Sequence, residues 1–132
     1  MSKTKINKSA LLLSIITILY MLFIWLHSSM SAEASTEEST NVMNVFQVLI
    51  NKLGISFELT DHIVRKTAHF CEFALLGVLV LWTLSRINNK TSNNIVISSI
   101  ICLSTAVIDE IIQIFAPGRA CMISDVILDF SG

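Results

Sequence analysis

Arg65, His69 and Glu72 stand at spacing i, i+4, i+7 in the run VRKTAHFCEFALLGVLVLWTL. At 100° per residue they fall within about 60° of one another on a helix, so they form one polar stripe. Further along, STAVIDEIIQIFAPGR carries Asp109, Glu110 and Gln113. Ser98, Cys102, Thr105, Asp109 and Gln113 share a second helical face, within about 80°. Three chemistries fit these groups. Arg65, Lys66 and Arg119 can hold a phosphate or carboxylate by charge-assisted hydrogen bonds. His69 can serve as a general base oriented by Glu72 or Asp109, with Glu110 completing the candidate catalytic set. No Ser or Cys nucleophile stands one turn from His69 on its face, and Cys71 lies about 160° round the helix. His69, Glu72, Asp109 and Glu110 are also donors of the kind that hold Mn, Fe or Zn. His-x-x-Glu spacing is not specific, and Arg65 on the same face repels a cation. The reading therefore expects no metal and no cofactor, and it keeps the enzyme as the alternative to a binding site.

The elements that must position these groups belong in a membrane. The chain has 132 residues, 53% of them hydrophobic and only 14% charged. A soluble domain carries about 25% charged residues, so the deficit points to lipid. Mean hydropathy is +0.71. The net charge of −1 offers no basic field for nucleic acid. With 1 proline and 4 glycines there is little room for an all-β fold. The 3 cysteines, Cys71, Cys102 and Cys121, show no metal-binding spacing and read as apolar packing residues. Cys71 and Cys121 both fall near the outer side, where a disulfide is conceivable.

The fold class expected is an all-α integral membrane protein with three transmembrane helices and the start of a fourth. A cytoplasmic tail, 1–9, precedes a first transmembrane helix over 10–27, with Trp25 and His27 at its interfacial edge. Ala32-Glu33-Ala34 resembles a signal-peptidase site, but the apolar run exceeds the 7–15 residues of a signal peptide, so an uncleaved anchor is expected. An extracytoplasmic loop over 28–62 follows. Its Ser/Thr/Glu-rich part, Ser28 to Asn41, is read as irregular. Phe46, Leu49, Ile50 and Leu53 recur at helical spacing and predict a short amphipathic helix on the bilayer surface. Two more transmembrane helices are expected at about 67–84 and 94–115, the second stopped by Pro117-Gly118. The segment 121–132 reads as the stump of a last helix.

Topology follows from the positive-inside rule. Lys3, Lys5, Lys8, Arg86 and Lys90 belong inside, and the acidic loop outside. Arg65 and Lys66 break the rule at the outer end of their helix, so they need partners. Glu72 lies about 9 Å deeper than Lys66, and Glu110 about 10 Å deeper than Pro117. The two helices are antiparallel, so Arg65, His69, Glu72, Asp109, Glu110 and Gln113 are expected in one pocket near the outer leaflet. Arg119 and Asp125 can cover it. A charge at the bilayer centre costs roughly 2.5–3.5 kcal/mol on insertion scales, and near the interface less. Opposite charges in the set offset one another further.

At these residues the sequence resembles the VanZ-like family. RKTAHFCEF supplies Arg65, Lys66, His69, Glu72 and Phe73; DEIIQIFAPGR supplies Asp109, Glu110, Gln113, Phe115 and Arg119; SDVILDFSG supplies Asp125, Asp129 and Gly132. The resemblance spans about residues 62–132, so 63–132 is read as a VanZ-like domain. It implies a bacterial envelope protein of the cell membrane, similar to proteins associated with low-level teicoplanin resistance. Family members continue through a last membrane helix after the Asp-containing segment, and this chain stops at Gly132, so truncation is expected. Combined with the residues, the resemblance implies a pocket of Arg65, Lys66, His69, Glu72, Asp109, Glu110, Gln113, Arg119 and Asp125. Its expected partners are a membrane lipid, a lipid-linked wall precursor or a lipoglycopeptide. One alternative is an enzyme acting on a lipid-linked head group; another is that the polar residues only hold the helices together.

Overall fold

The computed structural model describes residues 8–54, 56–87, 90–119 and 123–132. Lys3, Lys5 and Cys121 lie outside the described residues. Cys71 is an exposed free thiol. The described residues form five α-helices: α1 (Lys8–Ser28), α2 (Ala32–Lys52), α3 (Asp61–Ile87), α4 (Thr91–Ile114) and α5 (Ile123–Ser131). Three of them, α1, α3 and α4, are long and apolar enough to cross a bilayer.

The spans are inverted relative to a soluble bundle. On α4 the buried face is Asn94, Ser98, Cys102, Thr105, Ala106, Asp109, Glu110 and Gln113. Ile95, Val96, Ile100, Leu103 and Ile111 point outward. Lipid tails are as apolar as leucine, so burying leucine against another helix gains little, whereas small and polar groups gain close approach and hydrogen bonds. The stripe of Ser98, Cys102, Thr105, Asp109 and Gln113 is thus the inward face. On α3 the stripe that begins with Arg65, His69 and Glu72 continues as Phe73, Leu76, Val80 and Thr83, all buried. Ile24 of α1 joins Phe73, Leu76, Val80, Cys102 and Ala106 in the core.

A few polar ties set the register. The Thr17 and Thr83 hydroxyls meet at 2.9 Å in the buried seam of α1 and α3. Tyr20 donates to the Glu72 carbonyl at 3.3 Å, and the Trp25 indole to the Thr105 carbonyl at 3.4 Å. These pairings run α1 antiparallel to α3 and parallel to α4. The C-terminal ends of α1 and α4 therefore meet the N-terminal end of α3.

Residues 32–41, expected as irregular, form the first half of α2, a 21-residue helix rather than a short one. Ser31 caps it by accepting from Ala34 N, and Glu33 in the first turn suits the helix dipole. Ser39 and Thr40 satisfy their hydroxyls on the Ser35 and Thr36 carbonyls one turn back, so they do not compete with the helix. Tertiary contacts then fix the segment. Ala32 N donates to Pro117 O at 3.0 Å, and the Ser39 hydroxyl also lies against the Asp61 carboxylate. Helix α3 likewise begins at Asp61 rather than near 67, because the Thr60 hydroxyl caps Ile63 N at 3.3 Å. Arg65 and Lys66 thus sit within the helix.

Two glycines are positioned by geometry. Gly118 has φ 76°, a conformation L side chains rarely adopt, and it turns the chain after α4 toward α5. Gly132 lies against the α3 backbone, where an added Cβ would collide with the Phe70 carbonyl and stand 3.2 Å from Ala74 N. Gly132→Val is expected to push α5 off α3 at a cost of about 1–3 kcal/mol. Hydrogen exchange should show faster exchange confined to α5; unchanged protection there would contradict this close approach.

Candidate functional site

At the end of the bundle where α3 begins and α4 stops, α3, α4, α5 and the turn after α4 line a cavity of about 230 Å³. Six of the nine residues expected in the pocket line it: Arg65, Lys66, His69, Gln113, Arg119 and Asp125. His62, Gly118, Leu128 and Asp129 complete the wall. Glu72 lines a neighbouring cavity of about 170 Å³ instead, where His27 and Glu38 join it. Arg65 and His69 border both cavities. Asp109 and Glu110 line neither; they lie beneath, 0% and 1% exposed.

The stripe on α3 is divided among three neighbours. Arg65 turns back one helical turn to Asp61 at 2.8 Å. Glu72 is taken by His27 Nδ1 of α1 at 3.1 Å, and the other nitrogen of that ring meets Glu38 at 3.1 Å. The sequence offered Glu72 as an orienting group for His69; its close partner is His27 instead. His69 stacks on His27, with ring centroids 6.4 Å apart, and presents Nδ1 to Asp129 at 3.8 Å. Lys66 reaches across to Asp125 of α5 at 2.8 Å.

On α4, the Gln113 amide donates to Asp109 Oδ2 at 3.0 Å, one turn away. The Ser28 hydroxyl lies beside the Asp109 carboxyl without hydrogen-bond geometry. Trp25 and Thr105 position this level of α4 against α1, and that places Asp109 opposite His69.

Arg119 differs from the other cations. Its Nη1 donates to the Ser28 carbonyl at 3.4 Å, and its Nε is buried without a hydrogen-bond partner. Among the described residues no carboxylate stands within ion-pair distance of it. Burial pushes the guanidinium below its usual pKa, and Arg65 adds to that by like-charge repulsion, while Asp109 and Glu110 oppose it. Two guanidinium groups thus face one cavity, one of them half-buried, on a wall that also carries Asp125 and Asp129.

Several of these residues lay outside the sequence-derived set: His27, Asp61, His62 and Asp129. His27 ends the first span at the depth of Glu72, so comparing depths across all three spans would have found it. Asp129 stands one helical turn after Asp125, on the face that meets α3 and α4. Asp61 and His62 carried no such signal, because α3 was expected to start after them.

A family model described as VanZ/LLP1 matches residues 13–132, almost the whole chain. No curated protein and no solved structure matches it.

Proposed function

The chain belongs to the VanZ/LLP1 family, and on that premise we propose that it lowers susceptibility to teicoplanin-type glycopeptides by binding an anionic head group in the outer cavity. The ligand class is a membrane phospholipid or a lipid-linked wall precursor. The observation that carries this reading is Arg119: a half-buried guanidinium facing Arg65 across an open cavity, with a backbone carbonyl as its hydrogen-bond acceptor. A phosphate would separate the two like charges and accept from both forks.

The exposed apolar faces of α1, α3 and α4 support a multi-pass protein of the cell membrane. The proposed orientation has the N-terminus in the cytoplasm, so that the cavity opens outward. It is checked by single cysteines in a background lacking the native ones. A cysteine at Glu37 should react with an impermeant maleimide in intact cells, and one at Lys90 only after permeabilisation. The reverse pattern would place the cavity on the cytoplasmic side and remove the proposal.

The function is tested with the purified chain in nanodiscs. Short-chain phosphatidylglycerol and a lipid diphosphate should each be titrated against a zwitterionic lipid. Saturable binding of an anionic ligand is expected, and cells expressing the protein should survive more teicoplanin than cells without it. Equal affinity for the zwitterionic lipid would overturn the head-group reading. Loss of the cellular effect alone would overturn the glycopeptide part.

A further inference from the structure

Beneath the guanidinium groups, His69, Asp109 and Asp129 converge from three different helices, α3, α4 and α5. Each offers a ligand atom within 4.8 Å of the others. The burial is severe: Asp109 is 0% and Asp129 2% exposed. Yet His69 Nδ1, Asp109 Oδ1 and Asp129 Oδ2 are all buried without a hydrogen-bond partner. Buried polar atoms are normally satisfied, and leaving a charged one unpaired is expensive. The 3.8 Å between His69 Nδ1 and Asp129 Oδ1 is too long for a hydrogen bond. An ion pair between those two would also leave Asp109 without a purpose there.

We propose that His69, Asp109 and Asp129 form a binding site for one divalent transition-metal ion of the Mn²⁺ or Zn²⁺ type. One imidazole and two carboxylates are donors such ions accept. Two ligands of one ion, each about 2.1 Å from it, lie at most about 4.2 Å apart. The His69–Asp129 pair already meets that limit, and the third side chain has only to draw in slightly. Gln113 holds Asp109 by Oδ2 and leaves Oδ1 for the ion, the kind of outer support that ligating carboxylates have.

The charge balance also favours a cation. Asp109, Glu110, Asp125 and Glu72 all act on Asp129 by like-charge repulsion. The charge of Arg65, whose place on the stripe argued against a metal, is offset by Asp61 through Nη2 alone, and that of Lys66 by Asp125. Arg119 opposes the cation at His69, but it is one charge against several carboxylates. His69 and Asp129 also line the cavity, which gives the ion a route in and leaves coordination positions open toward it.

The site is tested with metal alone, so the outcome is separate from any head-group binding. The full chain is purified in micelles, stripped with a chelator and titrated with MnCl₂ or ZnCl₂. One saturable ion per chain is expected. His69→Gln and Asp129→Asn should each weaken it at least about tenfold, Asp129→Glu should restore part of the affinity, and Glu37→Gln, an exposed carboxylate of α2 outside the cluster, should bind as the wild type does. Pulsed EPR of bound Mn²⁺ should show nitrogen coupling in the wild type and lose it in His69→Gln. The nitrogen signal of the wild type decides the matter even if a variant fails to fold. Absence of saturable uptake of both metals by the stripped wild type would overturn the proposal. So would wild-type affinity in folded Asp129→Asn.

Discussion

Arg119→Ala is expected to lower affinity for a short-chain anionic phospholipid by about ten- to a hundredfold. That is the value of one hydrogen bond to a charged group, about 1.5–3 kcal/mol. The protective effect against teicoplanin should fall with it. Stability supplies the discriminating measurement. If Arg119 merely glued helices together, its removal would lower thermal stability in step with function. In the structure its side chain is held by one long bond to the Ser28 carbonyl, and repulsion by Arg65 works against the attraction of Asp109 and Glu110, neither of which stands within ion-pair distance. Removing it should therefore leave the melting temperature nearly unchanged. Arg119→Lys keeps the charge but loses the planar fork, so it should recover only part of the binding. Arg86→Ala at the opposite end of α3 should alter neither property. Binding preserved in Arg119→Ala would sink the anion site; a large loss of stability would favour the structural-glue reading.

The second large effect is on the core. Phe73 is 1% exposed and touches the cluster of Ile24, Leu76, Val80, Cys102 and Ala106. In lipid the transfer of its ring gains little, so its contribution is the dispersion contact that a cavity would forfeit. Phe73→Ala is expected to cost about 2–4 kcal/mol, within the range for large-to-small core changes. Leu75→Ala, two positions on and 48% exposed toward lipid, should cost less than about 1 kcal/mol. Unfolding in mixed micelles compares the two. Equal losses would mean that Phe73 also faces lipid, and that the α1–α3–α4 packing is wrong.

The inward faces were legible because membrane helices bury what lipid rejects. Ser98, Cys102, Thr105, Asp109 and Gln113 fall on one face by helical spacing alone, and that face is the buried one. The three spans and the stop at Pro117-Gly118 were legible for a related reason. Hydropathy and helix-breaking chemistry are local properties, readable without knowing any neighbour. The convergence of α3 and α4 at one end followed from the short link between their other ends. That was enough to bring Arg65, Lys66, His69, Gln113, Arg119 and Asp125 around one cavity.

Residues 32–41 show where local reading stops. Ser and Thr are neutral to poor helix formers, and the helix they share with Ala and Glu depends on the Ser31 cap and on contacts with Pro117 and Asp61. Partner choice is a second limit. Spacing put Arg65, His69 and Glu72 on one stripe, but spacing cannot say which neighbour each one faces. His27 took Glu72, Asp61 took Arg65, and His69 was left to Asp129. Composition and period therefore determined the class of the protein, its spans and the kinds of group at the polar end of the bundle. Arg65 took Asp61 one turn back on its own helix, but the packing of α1 and α5 against α3 and α4 decided the pairings of Lys66, His69 and Glu72, because such partners are chosen by distances of a few ångströms between chain segments far apart in sequence.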